Sequence, residues 1–253
     1  MQTKKPNLFV LLTVLVVALS IPVSLLVLRG DLNFKFSAFL SDIPEDVVIT
    51  DVSTDSFRVT WLTGEKVTGG VTIKNVTLPP FLEEADTSFH SIEVTGLTPG
   101  TNYEFALTSN GTEYLSDGVN YQVKTATQQS IVQSSFLVFG QVFAKDGLTT
   151  QSGGTISLVL YKDDIASQPK SAIINETGGY QIDLQGMLDQ QLSRTFPYLG
   201  ELDIELTVYT LDSDLPVTKK VTWDLTKSRQ IPNIYLGEVS VDVIPGVDGT
   251  ASN

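Results

Sequence analysis

Read for its alternation of apolar and polar positions, the chain is one long apolar run followed by many short ones. Residues 8–28 carry no charge and are predominantly apolar. As a helix rising about 1.5 Å per residue this run would be about 31 Å long, enough to cross a hydrocarbon core. Lys4 and Lys5 precede it and Arg29 follows, and paired lysines favour a cytoplasmic N-terminus with export of what comes after. The expected organisation is a cytoplasmic segment at 1–7, a transmembrane signal-anchor helix at 8–28 and a juxtamembrane connector at 29–42. The protein would then be a single-pass one of the cell membrane, its C-terminal domains outside the cytoplasm. A secretory signal cut after Ala18-Leu19-Ser20 is the alternative, but it would leave an apolar stub at 21–28 on the mature chain. Pro22 is tolerated in a spanning helix.

Beyond residue 43 the period changes to two. Residues 47–50, 57–62, 71–73, 89–94, 103–107 and 121–123 are rich in β-branched and aromatic side chains. Phe57, Val59 and Trp61 face one way while Ser56, Arg58 and Thr60 face the other. Short alternating segments separated by Gly, Pro, Asn and Asp predict an all-β sandwich over 43–126. A polar linker at 127–135 leads to a second set of strands at 136–143, 156–161, 180–184, 202–209, 220–225 and 232–236, a second sandwich over 136–238. Within it, Met187, Leu188, Leu192 and Phe196 recur at helical spacing before Pro197, which predicts a short inserted helix over 185–199. The tail at 239–253 ends in small polar residues.

Composition narrows the chemistry. All 29 acidic residues lie after position 30, against 13 basic ones there, so the expected exported part carries a net charge of −16. Such a surface repels nucleic acid and anionic lipid. With no cysteine, disulfides, thiolate metal sites and cysteine nucleophiles are excluded, and each domain must stand on its apolar core. The single histidine, His90, excludes multi-histidine metal sites.

The first β segment resembles a fibronectin type III domain. The residues that carry the likeness are Pro44 with Val47-Val48-Ile49, then Ser56-Phe57-Arg58-Val59-Thr60-Trp61, and above all Leu97-Thr98-Pro99-Gly100-Thr101-Asn102-Tyr103. The resemblance implies a structural core built on Trp61, Leu97, Pro99 and Tyr103, with a tyrosine corner at Tyr103. Trp61-Leu62-Thr63 with Phe89-His90-Ser91-Ile92-Glu93-Val94 is similar to the domain that precedes the catalytic domain of purple acid phosphatases. Nothing after Ala126 has the His, Asp and Asn content of such a catalytic domain. The second segment is similar to carboxypeptidase-regulatory-like or transthyretin-like sandwiches through Phe139-Gly140-Gln141-Val142, Gly154-Thr155-Ile156-Ser157-Leu158 and Glu176-Thr177-Gly178-Gly179-Tyr180. These resemblances imply tandem immunoglobulin-like sandwiches and no chemistry.

Other residues offer sharper but weaker signals. Asn75, Asn110 and Asn175 each open an N-glycosylation acceptor triplet. Arg29-Gly30-Asp31 spells an integrin-binding tripeptide, yet at a membrane edge no receptor could readily reach it. His90 lacks a nucleophile and acid in its neighbourhood, so a surface or edge position is expected rather than a catalytic one. Lys145 and Asn233, with Glu176 as the acid, could form an isopeptide staple, but ordinary surface groups are expected. Asp163-Asp164 and Asp212-Ser213-Asp214 lack calcium-loop spacing. No phosphate-binding, dinucleotide or nucleophile-elbow motif occurs, so neither a cofactor nor a metal is expected.

The expected function is therefore non-catalytic: tandem sandwiches displayed at the membrane for adhesion or envelope assembly, with an unknown protein or glycan partner outside the cell and no nucleic acid. The alternative is a carbohydrate-binding accessory module of a polysaccharide-processing system. That reading needs a patch of exposed aromatics drawn from Tyr114, Tyr161, Tyr198 and Tyr235.

Overall fold

The computed structural model describes residues 41–127, 134–213 and 215–237, all within one compact unit. The expected spanning helix, the connector up to residue 40, the Arg29-Gly30-Asp31 tripeptide and the tail lie outside the described residues, as does the linker over 128–133. Among the described residues there are sixteen strands and no helix, hence no helix long and apolar enough to cross a membrane.

The first sandwich contains β1 (Glu45–Thr50), β2 (Ser56–Val67), β3 (Gly69–Ile73), β4 (Phe81–Leu82), β5 (Thr87–Thr95), β6 (Asn102–Ser109), β7 (Thr112–Tyr114) and β8 (Tyr121–Lys124). One sheet runs β1-β2-β5; the other runs β4-β3-β6, with β7 and β8 both pairing β6. The final strand is thus split, and Ser116 and Val119 bridge the excursion between its halves. Alternation sends Phe57, Val59 and Trp61 of β2 inward against Ile92 and Val94 of β5 and Phe105 and Leu107 of β6, none above 6% exposed. Each such burial contributes about 1.5–3 kcal/mol, enough to hold a cysteine-free sandwich together.

At the turn before β6 the Thr98 amide donates to the Tyr103 hydroxyl at 2.7 Å, and Gly100 takes a φ of 65°. Leu97 and Tyr103 are buried, whereas Pro99 is exposed. Proline's fixed φ shapes this turn from outside, so Pro99 is not a member of the core.

The second sandwich contains β9 (Leu137–Phe143), β10 (Thr155–Lys162), β11 (Ile165–Ala166), β12 (Lys170–Ile173), β13 (Gly179–Asp183), β14 (Glu201–Tyr209), β15 (Val217–Asp224) and β16 (Ile234–Tyr235). The smaller sheet is β13-β9-β16, with β16 parallel to β9. The larger is β11-β10-β14-β15, with β12 beside the first half of β10. Ile156, Leu158 and Leu160 of β10 and Leu202, Ile204, Leu206 and Val208 of β14 line the core with Tyr180 and Ile182 of β13. Glycine at 140 admits Tyr180, because a Cβ there would lie 2.5 Å from its hydroxyl oxygen. Burial pushes the Tyr180 phenol well above its usual range.

The helix expected over 185–199 is absent. Gly186 and Leu192 adopt left-handed backbone, with φ of 68° and 56°, which ends any helical run. The stretch folds back as an irregular hairpin in which Leu188 bridges Thr195 and Asp189 bridges Ser167. Asp189 fixes the bend: its carboxylate accepts from the Ser193 amide at 2.8 Å and from Arg194 Nε at 3.0 Å. Met187, Leu188 and Phe196 are nevertheless buried. Met187 and Phe196 enter the core of the second sandwich, Leu188 lines the junction cleft and Leu192 packs against the core of the first sandwich, so the helical spacing arises from hairpin arms with different surroundings.

Candidate functional site

Among the described residues, polar and charged side chains gather in a buried cluster inside the first sandwich, at the junction between the two sandwiches, and in an open cleft beside Lys162, Asp163, Asp164, Arg194, Asp203 and Lys220.

The buried cluster starts from an irregularity in β2. Its register with β5 jumps between Leu62 and Val67, leaving Thr63 to Lys66 as a bulge; at its start Thr63 keeps the inward parity of Phe57, Val59 and Trp61 and is 0% exposed. His90, opposite Trp61, stacks on the indole with centroids 4.6 Å apart and planes 8° from parallel. The Thr63 hydroxyl donates to the Glu65 carbonyl at 2.7 Å, so it accepts from His90 Nε2 at 2.9 Å. Glu83, just after β4, meets His90 Nδ1 at 2.6 Å and accepts from the amides of Gly69 and Ser91. Both ring nitrogens are therefore hydrogen-bonded inside the cluster. The cluster ties both sheets together at one end of the sandwich. Gly69 is required for the close approach: a Cβ there would stand 2.6 Å from Glu83 Oε2, His90 Nδ1 and Trp61 Cζ2 alike.

His90 is thus not at the surface. Its strand is a sheet edge, as the sequence allowed, but its side chain is 0% exposed because position 90 shares the inward parity of Ile92 and Val94. Closed off from solvent, it has no route to a substrate.

The junction is built on the outer face of β1-β2-β5. Thr60 and Leu62 point away from the first core yet are 1% exposed, because β10 and β12 of the second sandwich lie on that side. Phe89, opposite Leu62, meets Gly153, where a Cβ would stand 2.3 Å from the ring. The Thr50 and Ser171 hydroxyls share a buried hydrogen bond of 2.6 Å. Next to them the Asp51 amide donates to the Pro169 carbonyl at 3.0 Å, and the Asp51 carboxylate accepts from the Ser171 amide and pairs with Lys170 Nζ, each at 3.2 Å. Toward the Arg58–Glu93 end the two halves diverge into a polar cleft of about 740 Å³, lined among others by Asp55, Arg58, Glu93, Gln168, Lys170 and Asp183.

Among the described residues, four carboxylates of the second sandwich, Asp146, Asp183, Asp189 and Asp224, are held below the usual range, and in two of them hydrogen bonds work against burial. Burial would raise Asp183, but hydrogen bonds from the Ser135 hydroxyl and the Gln185 and Phe136 amides, with Lys170 nearby, hold it below the usual carboxylate range. Asp189 is likewise opposed by burial and lowered by Ser193 and Arg194. A carboxyl whose folded value is depressed contributes stability above its unfolded value and loses it as pH falls through the folded one. The second sandwich should therefore weaken on acidification below about pH 4. Denaturant titrations followed by Trp223 emission check this, and Asp183→Asn and Asp189→Asn should each flatten the dependence.

The remaining sequence candidates are not brought together. Asn75 is held at both ends by the backbone of Asn102 and Glu104, Asn110 sits in an exposed left-handed turn with Gly111, and the Asn175 carbonyl oxygen accepts from the Thr177 and Gly179 amides. Lys145 donates to the Asp212 carbonyl, and Asn233 and Glu176 are exposed. Asp163 and Asp164 occupy a left-handed turn. Among the described residues no group of His, Asp and Glu has the arrangement of a metal site. The four tyrosines are dispersed: Tyr114 donates to Asp42, Lys220 covers Tyr161, Tyr198 is 5% exposed and Tyr235 stacks on Phe143. The junction itself was invisible in sequence; the only trace was Leu62 breaking the alternation after Trp61.

The fibronectin type III domain family matches residues 42–124, the span of the first sandwich. Among solved structures, the chain is similar to a two-domain fibronectin type III segment of chicken tenascin. The two are 10% identical, with 71% of this chain and 99% of that chain covered and a TM-score of 0.24. It is also similar to the FN1-FN3 domains of chicken CNTN1, at 9% identity, 72% and 98% coverage and a TM-score of 0.23. No curated protein matches the chain.

Proposed function

We propose that this protein is a non-catalytic, membrane-anchored display protein whose tandem sandwiches serve adhesion or assembly outside the cytoplasm. The observation that carries this reading is the fibronectin type III match over 42–124, since domains of that type commonly mediate binding. The only histidine supports it: the one imidazole that could act as a base is spent inside the core. The apolar run at 8–28 with its leading lysines supports the anchored, outward-facing arrangement. Partner contact then falls to loops and edge strands. The outer edge of β15 is a poor candidate, because Lys219 faces Leu206 on the core side of the sheet, and inward charge discourages strand addition.

Because the chain has no cysteine, one introduced at exposed Val119 gives a unique handle. In intact cells making the full chain, Val119→Cys should react with a membrane-impermeant maleimide, and the protein should stay in the membrane pellet after alkaline carbonate extraction. Surface crosslinking from the same position would then capture the partner. A protein that appears in the carbonate supernatant and reacts only after lysis would overturn the reading.

A further inference from the structure

We infer that Asp51 is a pin that holds the two sandwiches in one orientation, and that without its charge they separate and uncover the outer face of β2 and β5. This goes beyond the proposed display function and does not depend on where the chain resides. Contacts between domains of one chain are usually polar and permit relative motion unless large and apolar. This junction is polar over much of its length and opens into a cleft at one end, so its order must come from a few strong contacts.

Asp51 supplies most of them. It ends β1 in a left-handed conformation, with φ of 54°, unusual for a residue with a side chain. From there its amide and its carboxylate reach successive residues of the other sandwich: the amide takes the Pro169 carbonyl, one carboxylate oxygen the Lys170 ammonium, and the other the Ser171 amide. That second oxygen also accepts from the Thr50 hydroxyl at 2.9 Å and lies 3.6 Å from Arg58 Nε.

The two sides of the ion pair are unequal. The Lys170 side chain is 10% exposed and that of Asp51 21%, and apart from Asp51 the ammonium donates only to the Gln185 carbonyl, at 3.1 Å. With Asp51 neutral the buried ammonium loses its paired carboxylate and keeps only Asp183, beyond ion-pair distance, as counter-charge; that is unfavourable, and water let in by parting the junction relieves it. Removing Lys170 instead leaves a carboxylate that still accepts from Ser171 and Thr50 and keeps Arg58 beside it. The pin should therefore fail when Asp51 loses its charge and hold when Lys170 does. Once parted, Leu62 and Phe89 would meet solvent, and β5 would present an edge that no strand of its own sheet covers.

The test uses the full chain in detergent micelles, spin-labelled at Val119→Cys in the first sandwich and Leu148→Cys in the second, both exposed. Pulsed dipolar spectroscopy should give one narrow distance distribution for the otherwise unaltered chain. Asp51→Asn, which tolerates the left-handed backbone, should broaden it toward longer distances and speed amide exchange in 57–62 and 87–95. Lys170→Met should leave it narrow, and Asp51→Asn with Lys170→Met should narrow it again. Emission from Trp61 and Trp223, one in each sandwich, reports whether each domain stays folded. A broad distribution without Asp51→Asn, an Asp51→Asn distribution as narrow as the parent's, or a double variant as broad as Asp51→Asn alone would each overturn the inference.

Discussion

Glu83→Ala is expected to cost the first sandwich about 3 kcal/mol or more, since each donor left buried without its acceptor costs about 1–3 kcal/mol. Glu84→Ala, one residue on and exposed, should stay within about 0.5 kcal/mol. The reason lies in what Glu83 accepts: His90 Nδ1 and the amides of Gly69 and Ser91 all end on its carboxylate. Its removal leaves three donors inside the sandwich without an acceptor, and the histidine loses the group that fixes it against Trp61. Against a typical domain stability of about 5–15 kcal/mol, such a loss brings the sandwich close to unfolding. Denaturant midpoints read from Trp61 emission, with Trp223 replaced by phenylalanine, measure it directly. Equal midpoints for the Glu83 and Glu84 variants would mean that the cluster contributes nothing to stability.

Phe196→Ala should destabilise the second sandwich by about 3–5 kcal/mol, the usual cost of emptying an aromatic site in a core. Phe196 is 0% exposed, and Met187 and Leu188 on the facing arm of the hairpin are buried beside it. The backbone is already held there by the Phe196 amide on the Met187 carbonyl at 2.9 Å, so the arm has little freedom to collapse into the void. Thermal unfolding followed by Trp223 emission reads the effect. A loss below about 1 kcal/mol would show that the hairpin is peripheral to the core.

Much of this architecture was legible beforehand. Inward parity in β2, β6, β10 and β14 follows from period-two alternation, since a sandwich strand has one dry face and one wet one. Legibility failed where that rule is suspended. The stretch at 185–199 looked helical because spacings of four between apolar residues occur in helices and in tight hairpins alike. Only the left-handed backbone at Gly186 and Leu192 and the ligation of Asp189 separate the two. The short strands β4, β7, β11 and β12 were missed because their pairing is dictated by long neighbours and not by their own composition. His90 looked peripheral because a lone histidine in an edge strand has no sequence signal for the strand pairing that sets Thr63 and Trp61 beside it, or for Glu83 arriving from another sheet.

By itself the sequence determined the β character of residues 43–126 and of the second segment outside 185–199, their cysteine-free cores and the acidity of the chain, because period, composition and charge are local or additive quantities. Tertiary structure alone decided that Glu83, His90 and Thr63 form one cluster and that Asp51 meets Lys170 across the junction. Those meetings join residues far apart in the chain, and the energy of each depends on burial that only the folded neighbours create.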